Sequence, residues 1–239
     1  MSSDPFDSGK GRPSTPLRAG LTTKILDELR AALTAIDDRQ AQDFVAALAG
    51  ARYARAPEVR RSRTQAREIF VTGQGRSGLI AAAFAMRLAQ LGRRVHVVGE
   101  PTAVAAAPGA LLVACSGSGR TDVTLLHAER ALAAGAQVWA ITQDPSSPLA
   151  ATATHVVIIP SARSGRRGTA CRASTSERGA SSTRPGTAAE PHSEAPSAQP
   201  GASAFEQALL LFLDSVIMRL MARLGETESS MLARHANLE

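Results

Sequence analysis

The sequence predicts an α/β protein: a three-layer sandwich whose five-stranded parallel sheet lies between helices, with further helices at its N-terminal end and a long helix at its C-terminal end. Two observations carry this. Five short apolar runs recur between positions 69 and 159, and stretches with helical apolar spacing separate most of them. Strands that alternate with helices in this way form a parallel sheet covered on both faces.

The elements follow in order. Residues 1–20 mix Ser, Pro, Gly and both charges and are expected to form a disordered tail. Residues 21–239 are expected to make one domain, since a chain of 239 residues supports one core of respectable size. Leu21 to Leu48 places Ile25, Leu29, Leu33, Ile36, Phe44, Val45 and Leu48 at helical spacing, and Asp37-Asp38 divides it into two helices. The strands are Ile69–Thr72, Val95–Val98, Leu111–Cys115, Val138–Thr142 and Val156–Ile159. Helices are expected at Leu79–Leu91, Thr121–Ala134 and Pro148–Ala153, and a Pro-containing loop joins the second strand to the third. Residues 161–198 are Ser, Arg, Gly, Ala, Thr and Pro with almost no large apolar side chain, so they are expected to be a mobile insertion. A strong helix follows, Ser203 to Leu224, closed by Gly225, and then a short helix and the tail Arg234-His-Ala-Asn-Leu-Glu239.

Composition narrows the function. Aromatic residues make up 3% of the chain, so Ala, Leu, Val and Ile must build the core. The net charge of +6 invites a nucleic-acid partner, but its location argues otherwise. Residues 51–67 carry six Arg against one Glu, and residues 161–198 carry six Arg against three Glu, which leaves the rest of the chain net acidic. The basic excess sits in connectors without an aromatic stacking platform, so no nucleic-acid partner is expected. The longest apolar stretch, Ala208 to Leu224, is interrupted by Asp214, Arg219 and Arg223, so no membrane span is expected either. The N-terminus lacks an apolar secretory segment, and the two cysteines, Cys115 and Cys171, form no C-x-x-C pair. A cytoplasmic location is expected.

The chemistry concentrates in two turns. Residues Ser116-Gly-Ser-Gly-Arg-Thr121 leave the apolar run Leu111–Cys115 and enter a helix. Backbone N–H groups and a helix start converge there, and Ser116, Ser118 and Thr121 add hydroxyl donors, which suits a phosphate monoester. One N-cap needs one hydroxyl; three hydroxyls and two glycines in six residues exceed a plain cap. Gly73-Gln-Gly75-Arg-Ser-Gly78 leaves the first strand in the same way. Read literally it is the G-x-G-x-x-G of dinucleotide sites, and Glu100 stands 22 positions after Gly78, so a nicotinamide cofactor is a rival reading. That reading leaves the turn at 116–121 unexplained. Two such turns converge more simply on one small ligand at the carboxyl edge of the sheet.

The pairing of these two turns resembles the SIS (sugar isomerase) domain and, within it, the 6-phospho-3-hexuloisomerase family. Phe84-Ala-Met-Arg-Leu88, Val98-Gly-Glu100, Gln199-Pro200, Phe205–Ser215 and the terminal Arg234–Glu239 carry the same resemblance. It implies a flavodoxin-like strand order and an isomerase that interconverts 3-hexulose 6-phosphate and fructose 6-phosphate, the second step of formaldehyde fixation by the ribulose monophosphate route. It further implies no metal or organic cofactor, a homotetramer, and functional coupling to a hexulose-phosphate synthase. The implied ligand contacts are Ser77, Ser116, Ser118 and Thr121, with Gly75 and Gly117 in the two turns.

Moving a carbonyl from C3 to C2 needs a base that takes a proton from carbon and returns one to the neighbouring carbon through an enediol. The resemblance implies Glu206 for this role. Spacing alone favours a different one, because Ser203-Ala-Phe-Glu206 also spells a capping box. The resemblance implies that His235 assists in ring opening or in proton transfer between oxygens. From position alone, His235 is a solvated tail residue. A non-catalytic protein that senses a sugar phosphate remains the alternative from another functional class.

Overall fold

A computed structural model describes residues 20–50, 67–161, 197 and 199–236. The expected tail at 1–20 and the insertion at 161–198 lie outside the described residues, apart from Gly20, Ser161 and Ser197. Cys171 and His192 lie outside them as well.

The sheet holds β1 (Ile69–Gly73), β2 (Val95–Val97), β3 (Leu111–Cys115), β4 (Gln137–Thr142) and β5 (His155–Ile158) in the order β2-β1-β3-β4-β5. Every pairing is parallel, and the order is the flavodoxin-like one. Alternation along the strands divides the core in two. Ile69, Val71, Leu111, Val113, Cys115, Trp139, Ile141 and Val157 point to one side, and Phe70, Leu112, Ala114, Val138 and Ala140 to the other.

The first side is covered by α1 (Gly20–Thr34), α2 (Asp38–Leu48), α3 (Gly75–Gln90) and α6 (Ser203–Leu224), the second by α4 (Asp122–Ala133) and α5 (Pro148–Thr152). A last short helix, α7, spans Glu228–Leu232. The break between α1 and α2 follows from Asp37, whose carboxylate caps α2 by accepting from Arg39 N at 2.8 Å. Gly225, at φ +69°, ends α6 in the left-handed conformation that favours glycine.

The small aromatic content gathers around Phe44 of α2. Its ring lies 5.2 Å from Trp139 of β4, 6.2 Å from Phe212 of α6 and 6.4 Å from Phe84 of α3, centroid to centroid. One fully buried side chain thus ties three helices to the sheet. Phe44→Ala is expected to destabilise the fold by about 3–5 kcal/mol, the range for emptying a well-packed aromatic site. Urea unfolding measures it, and a midpoint unchanged from the unsubstituted protein would refute that role for Phe44.

Two local expectations are corrected. The helix expected at Leu79–Leu91 begins at Gly75, inside the glycine-rich turn. Glycine is a poor helix former, so the apolar pattern becomes visible only one turn late. The capping box that spacing alone favours at Ser203–Glu206 does not form. Ala202 occupies the N-cap without a side-chain bond, and Ser203 is already helical.

Candidate functional site

The chain passes from β1 to β2 in one direction across the sheet and from β3 to β5 in the other, so a crevice opens where β1 and β3 end side by side. Gly73 pairs with Cys115 at that edge. A Cβ on Gly73 would lie 2.9 Å from both Cys115 O and Gly78 N, and one on Gly78 would lie 2.6 Å from Gly73 O. These glycines let the strand end, its neighbour and the start of α3 approach to backbone contact. Between them, Gly75 takes φ +57° to turn the chain into the helix.

The second turn is held from two directions. Within it, Gly119 N donates to Ser116 O at 3.1 Å and to Ser116 Oγ at 3.2 Å, and Arg120 N donates to Ser118 Oγ at 3.2 Å. The hydroxyls of Ser116 and Thr121 stand 3.2 Å apart. From the end of β4 and the residue after it, Thr142 Oγ1 and Gln143 N both donate to Gly117 O, at 3.1 and 3.2 Å, and from α5 Leu149 N donates to Gly119 O at 3.0 Å. Arg120 reaches Asp144 Oδ2 at 3.4 Å. The turn's carbonyls are thus drawn down towards β4 and α5. A hydroxyl that accepts an N–H keeps its own proton to donate, so Ser116 and Ser118 remain donors.

Three helices begin around this crevice. The N-caps of α3, α4 and α6 are Gln74, Thr121 and Ala202, and none makes a side-chain capping bond. By contrast, α2, α5 and α7 are capped by the side chains of Asp37, Ser147 and Thr227. Phe205 brings the start of α6 onto the second turn, where a Cβ on Gly117 would lie 2.8 Å from its ring. Helix starts left without a side-chain acceptor, carrying the positive end of the helix dipole, form a place for an anion.

A carboxylate stands beside the first turn. Glu206 is in the first turn of α6, with its side chain 14% exposed, and its Oε2 accepts from Arg76 Nη1 at 3.0 Å. The same Nη1 donates to Ser203 Oγ at 2.9 Å, and Ser203 Oγ donates to Pro200 O at 2.7 Å. The approach to α6 is anchored at Glu28 of α1, whose Oε2 accepts from Ser197 Oγ at 2.7 Å and from Gln199 Nε2 at 2.9 Å.

The structure therefore brings Gly75, Ser77, Ser116, Gly117, Ser118, Thr121 and Glu206 to one crevice. Ser77 is 7% exposed in the first turn of α3. It does not bring His235 there. Arg234 Nη1 donates to Gln90 O at 3.1 Å, at the far end of α3. At 1.5 Å per residue that end is about 20 Å from Gly75. His235 is exposed at that opposite edge, with Nδ1 3.0 Å from Ala236 O. Sequence reasoning missed Arg76, although it is the charged residue in the first turn. It also missed Thr142, which braces the second turn from β4.

Cys115 is fully buried, and burial pushes its thiol up to about 12. His127 meets Thr72 Oγ1 at 2.8 Å, and burial lowers its pKa. Among the described residues, no group of three or more His, Cys, Asp or Glu is placed to hold a metal ion, and no helix is long and apolar enough to cross a membrane.

The SIS domain matches residues 64–183, about half of the sequence. The chain belongs to the SIS domain family. A 3-hexulose-6-phosphate isomerase of Mycobacterium gastri is 37% identical to this SIS protein over 171 residues, 72% of this chain and 73% of its own. A protein of the same name from Bacillus subtilis is 34% identical over 72% of this chain and 80% of its own. A solved structure from Methanococcus jannaschii, for which a 3-hexulose-6-phosphate isomerase function was inferred, superposes with a TM-score of 0.64 at 26% identity, covering 91% of this chain and 96% of that one. SIS membership takes the place of the nicotinamide reading. The glycines of 73–78 serve the close approach of β1, β3 and α3 that the contacts at Gly73 and Gly78 display.

Proposed function

We propose that this SIS protein is an isomerase that interconverts 3-hexulose 6-phosphate and fructose 6-phosphate. The observation that carries this is the meeting of three uncapped helix starts and the hydroxyl turn 116–121 with the carboxylate of Glu206 in one crevice. The names of the relatives select the sugar within that chemistry.

In this reading the phosphate lies on Ser116, Ser118, Thr121 and the N–H groups of the turn, with Ser77 beside it. The sugar chain then extends towards Glu206. Glu206 takes the proton from C2 of the 3-hexulose, the C2–C3 enediol forms, and the proton is returned to C3 as the carbonyl settles at C2. The reaction is redox-neutral within the substrate and consumes no water. Pinning the phosphate orients the reacting carbons against the carboxylate, which is where much of the acceleration from positioning arises.

His235 fits this scheme in the site of a second copy, where it moves protons between sugar oxygens. A homotetramer is the assembly proposed. Leu26 and Leu211, 55% and 43% exposed, support contact between copies: with Leu29 and Leu33 they line an open apolar groove on α1 and α6. We place the reaction in the cytoplasm, since a doubly charged sugar phosphate does not cross a bilayer unaided, and in sequence after a hexulose-phosphate synthase.

The test is a coupled assay. Ribulose 5-phosphate, formaldehyde and a hexulose-phosphate synthase are supplied, and fructose 6-phosphate is followed through phosphoglucose isomerase and glucose-6-phosphate dehydrogenase. Product that depends on this protein is expected. Absence of product, with fructose 6-phosphate still raising the melting temperature, would replace the isomerase by a sensor of sugar phosphates.

A further inference from the structure

The only ion pair described for Glu206 runs to Arg76, and it bears on how the carboxylate is aimed. Oε2 accepts from the guanidinium at 3.0 Å, so while the pair holds, Arg76 fixes the direction in which the remaining lone pairs of the carboxylate can meet a C–H bond. Three features show how the contact can be released. Arg76 makes both of its contacts, to Glu206 and to Ser203, through the single nitrogen Nη1, leaving the other donors of the fork for another acceptor. Its side chain is 54% exposed although it lies in the first turn of α3, while Glu206 is 14% exposed. The cradle that would take a phosphate begins at Ser116, which follows the strand end against Gly73, three residues before Arg76. A guanidinium beside a phosphate dianion or a sugar oxyanion has an acceptor at least as strong as one carboxylate oxygen, with a geometry that admits two parallel bonds.

We infer that Arg76 is a positioning residue that changes partner, holding Glu206 through Nη1 until a bound sugar phosphate takes the guanidinium over and leaves the carboxylate facing the substrate carbon. The inference rests on the sugar-phosphate reading of the crevice. It assigns Arg76 a function in the cycle beyond the static ion pair. Ser203 stays in place during the exchange because its hydroxyl is also tied to Pro200 O at 2.7 Å. The start of α6 is thereby kept while its carboxylate is released.

A binding cycle tests this by calorimetry with fructose 6-phosphate on the full chain, using the unsubstituted protein, Glu206→Gln, Arg76→Gln and the double variant. The Glu206→Gln substitution removes the charge that competes for Arg76. The expected result is tighter binding of fructose 6-phosphate by Glu206→Gln, about fivefold for an ion pair that is half in water. No such gain is expected from Glu206→Gln in the Arg76→Gln background. Arg76→Lys, which keeps the charge but not the fork, is expected to recover part of the affinity lost in Arg76→Gln. Melting curves of each variant separate a binding effect from loss of fold. An equal gain in both backgrounds would mean simple repulsion between Glu206 and the ligand and would overturn the exchange, as would no gain in either. Failure of the unsubstituted protein to bind fructose 6-phosphate would overturn the sugar-phosphate reading and the exchange together, whereas intact binding without coupling overturns the exchange alone.

Discussion

Glu206→Gln lowers turnover by about 10³-fold or more, the upper part of the range for a positioned acid–base group, and leaves fructose 6-phosphate binding no weaker. The substitution keeps the shape of the side chain and its place in the first turn of α6, so the fold loses little. What it removes is the carboxylate charge, without which the remaining amide oxygen cannot take a proton from carbon. The capping-box alternative predicts something different. If Glu206 served only to satisfy the helix start, glutamine would replace it with little effect, because both residues cap in that position. The geometry already favours the first outcome, since Glu206 Oε2 faces Arg76 and the N-cap Ala202 makes no side-chain bond. The coupled assay beside a calorimetric titration reads both quantities. Turnover within a factor of a few of the unsubstituted protein would remove Glu206 as the base.

Gly73→Ala is expected to cost the protein both stability and its ligand. The added methyl would meet Cys115 O and Gly78 N at 2.9 Å and Ser77 C at 3.0 Å, and all three are backbone atoms. No side chain can swing aside, so the end of β1 must part from β3 or from α3. Overpacking of this kind costs about 1–3 kcal/mol, and at the centre of a parallel sheet the upper end is expected. For a chain of this size that is a fall of about 5–10 °C in melting temperature. The displaced pieces carry Ser77 on one side and Ser116 on the other, so fructose 6-phosphate binding is lost with the register of the two turns. Thermal melting with and without fructose 6-phosphate checks both effects. A variant with the unsubstituted melting temperature and the full ligand-induced rise would show that the close approach at Gly73 does not position the crevice.

These two positions also show what kind of information each level supplies. Glycines at 73 and 78 and hydroxyls at 116, 118 and 121 are visible along the chain, and they sufficed to locate the crevice, because strand, turn and helix start are consecutive in sequence. The five apolar runs, the division at Asp37 and the closure of α6 by Gly225 were legible for the same reason: periodicity, caps and left-handed glycines act within a turn or two of the backbone. The first turn of α3 was not, since Gly75 and Gly78 conceal a helix that packing against β1 and β3 imposes. The contact of Arg76 with Ser203 and Glu206 was not legible either, because these partners lie outside any local window.

The layers, the extent of most elements and the chemical character of the two turns are thus readable along the chain, since all of them follow from short-range propensity and from which residues avoid water. Long-range packing, by contrast, brings Arg76 to Ser203 across 127 positions, seats α6 on Gly117 through Phe205, and puts His235 at the opposite end of α3 from Glu206. Contacts of that kind depend on how helices cross the sheet. That arrangement is set by the joint packing of side chains from distant segments, such as the cluster around Phe44, and not by any local stretch of the chain.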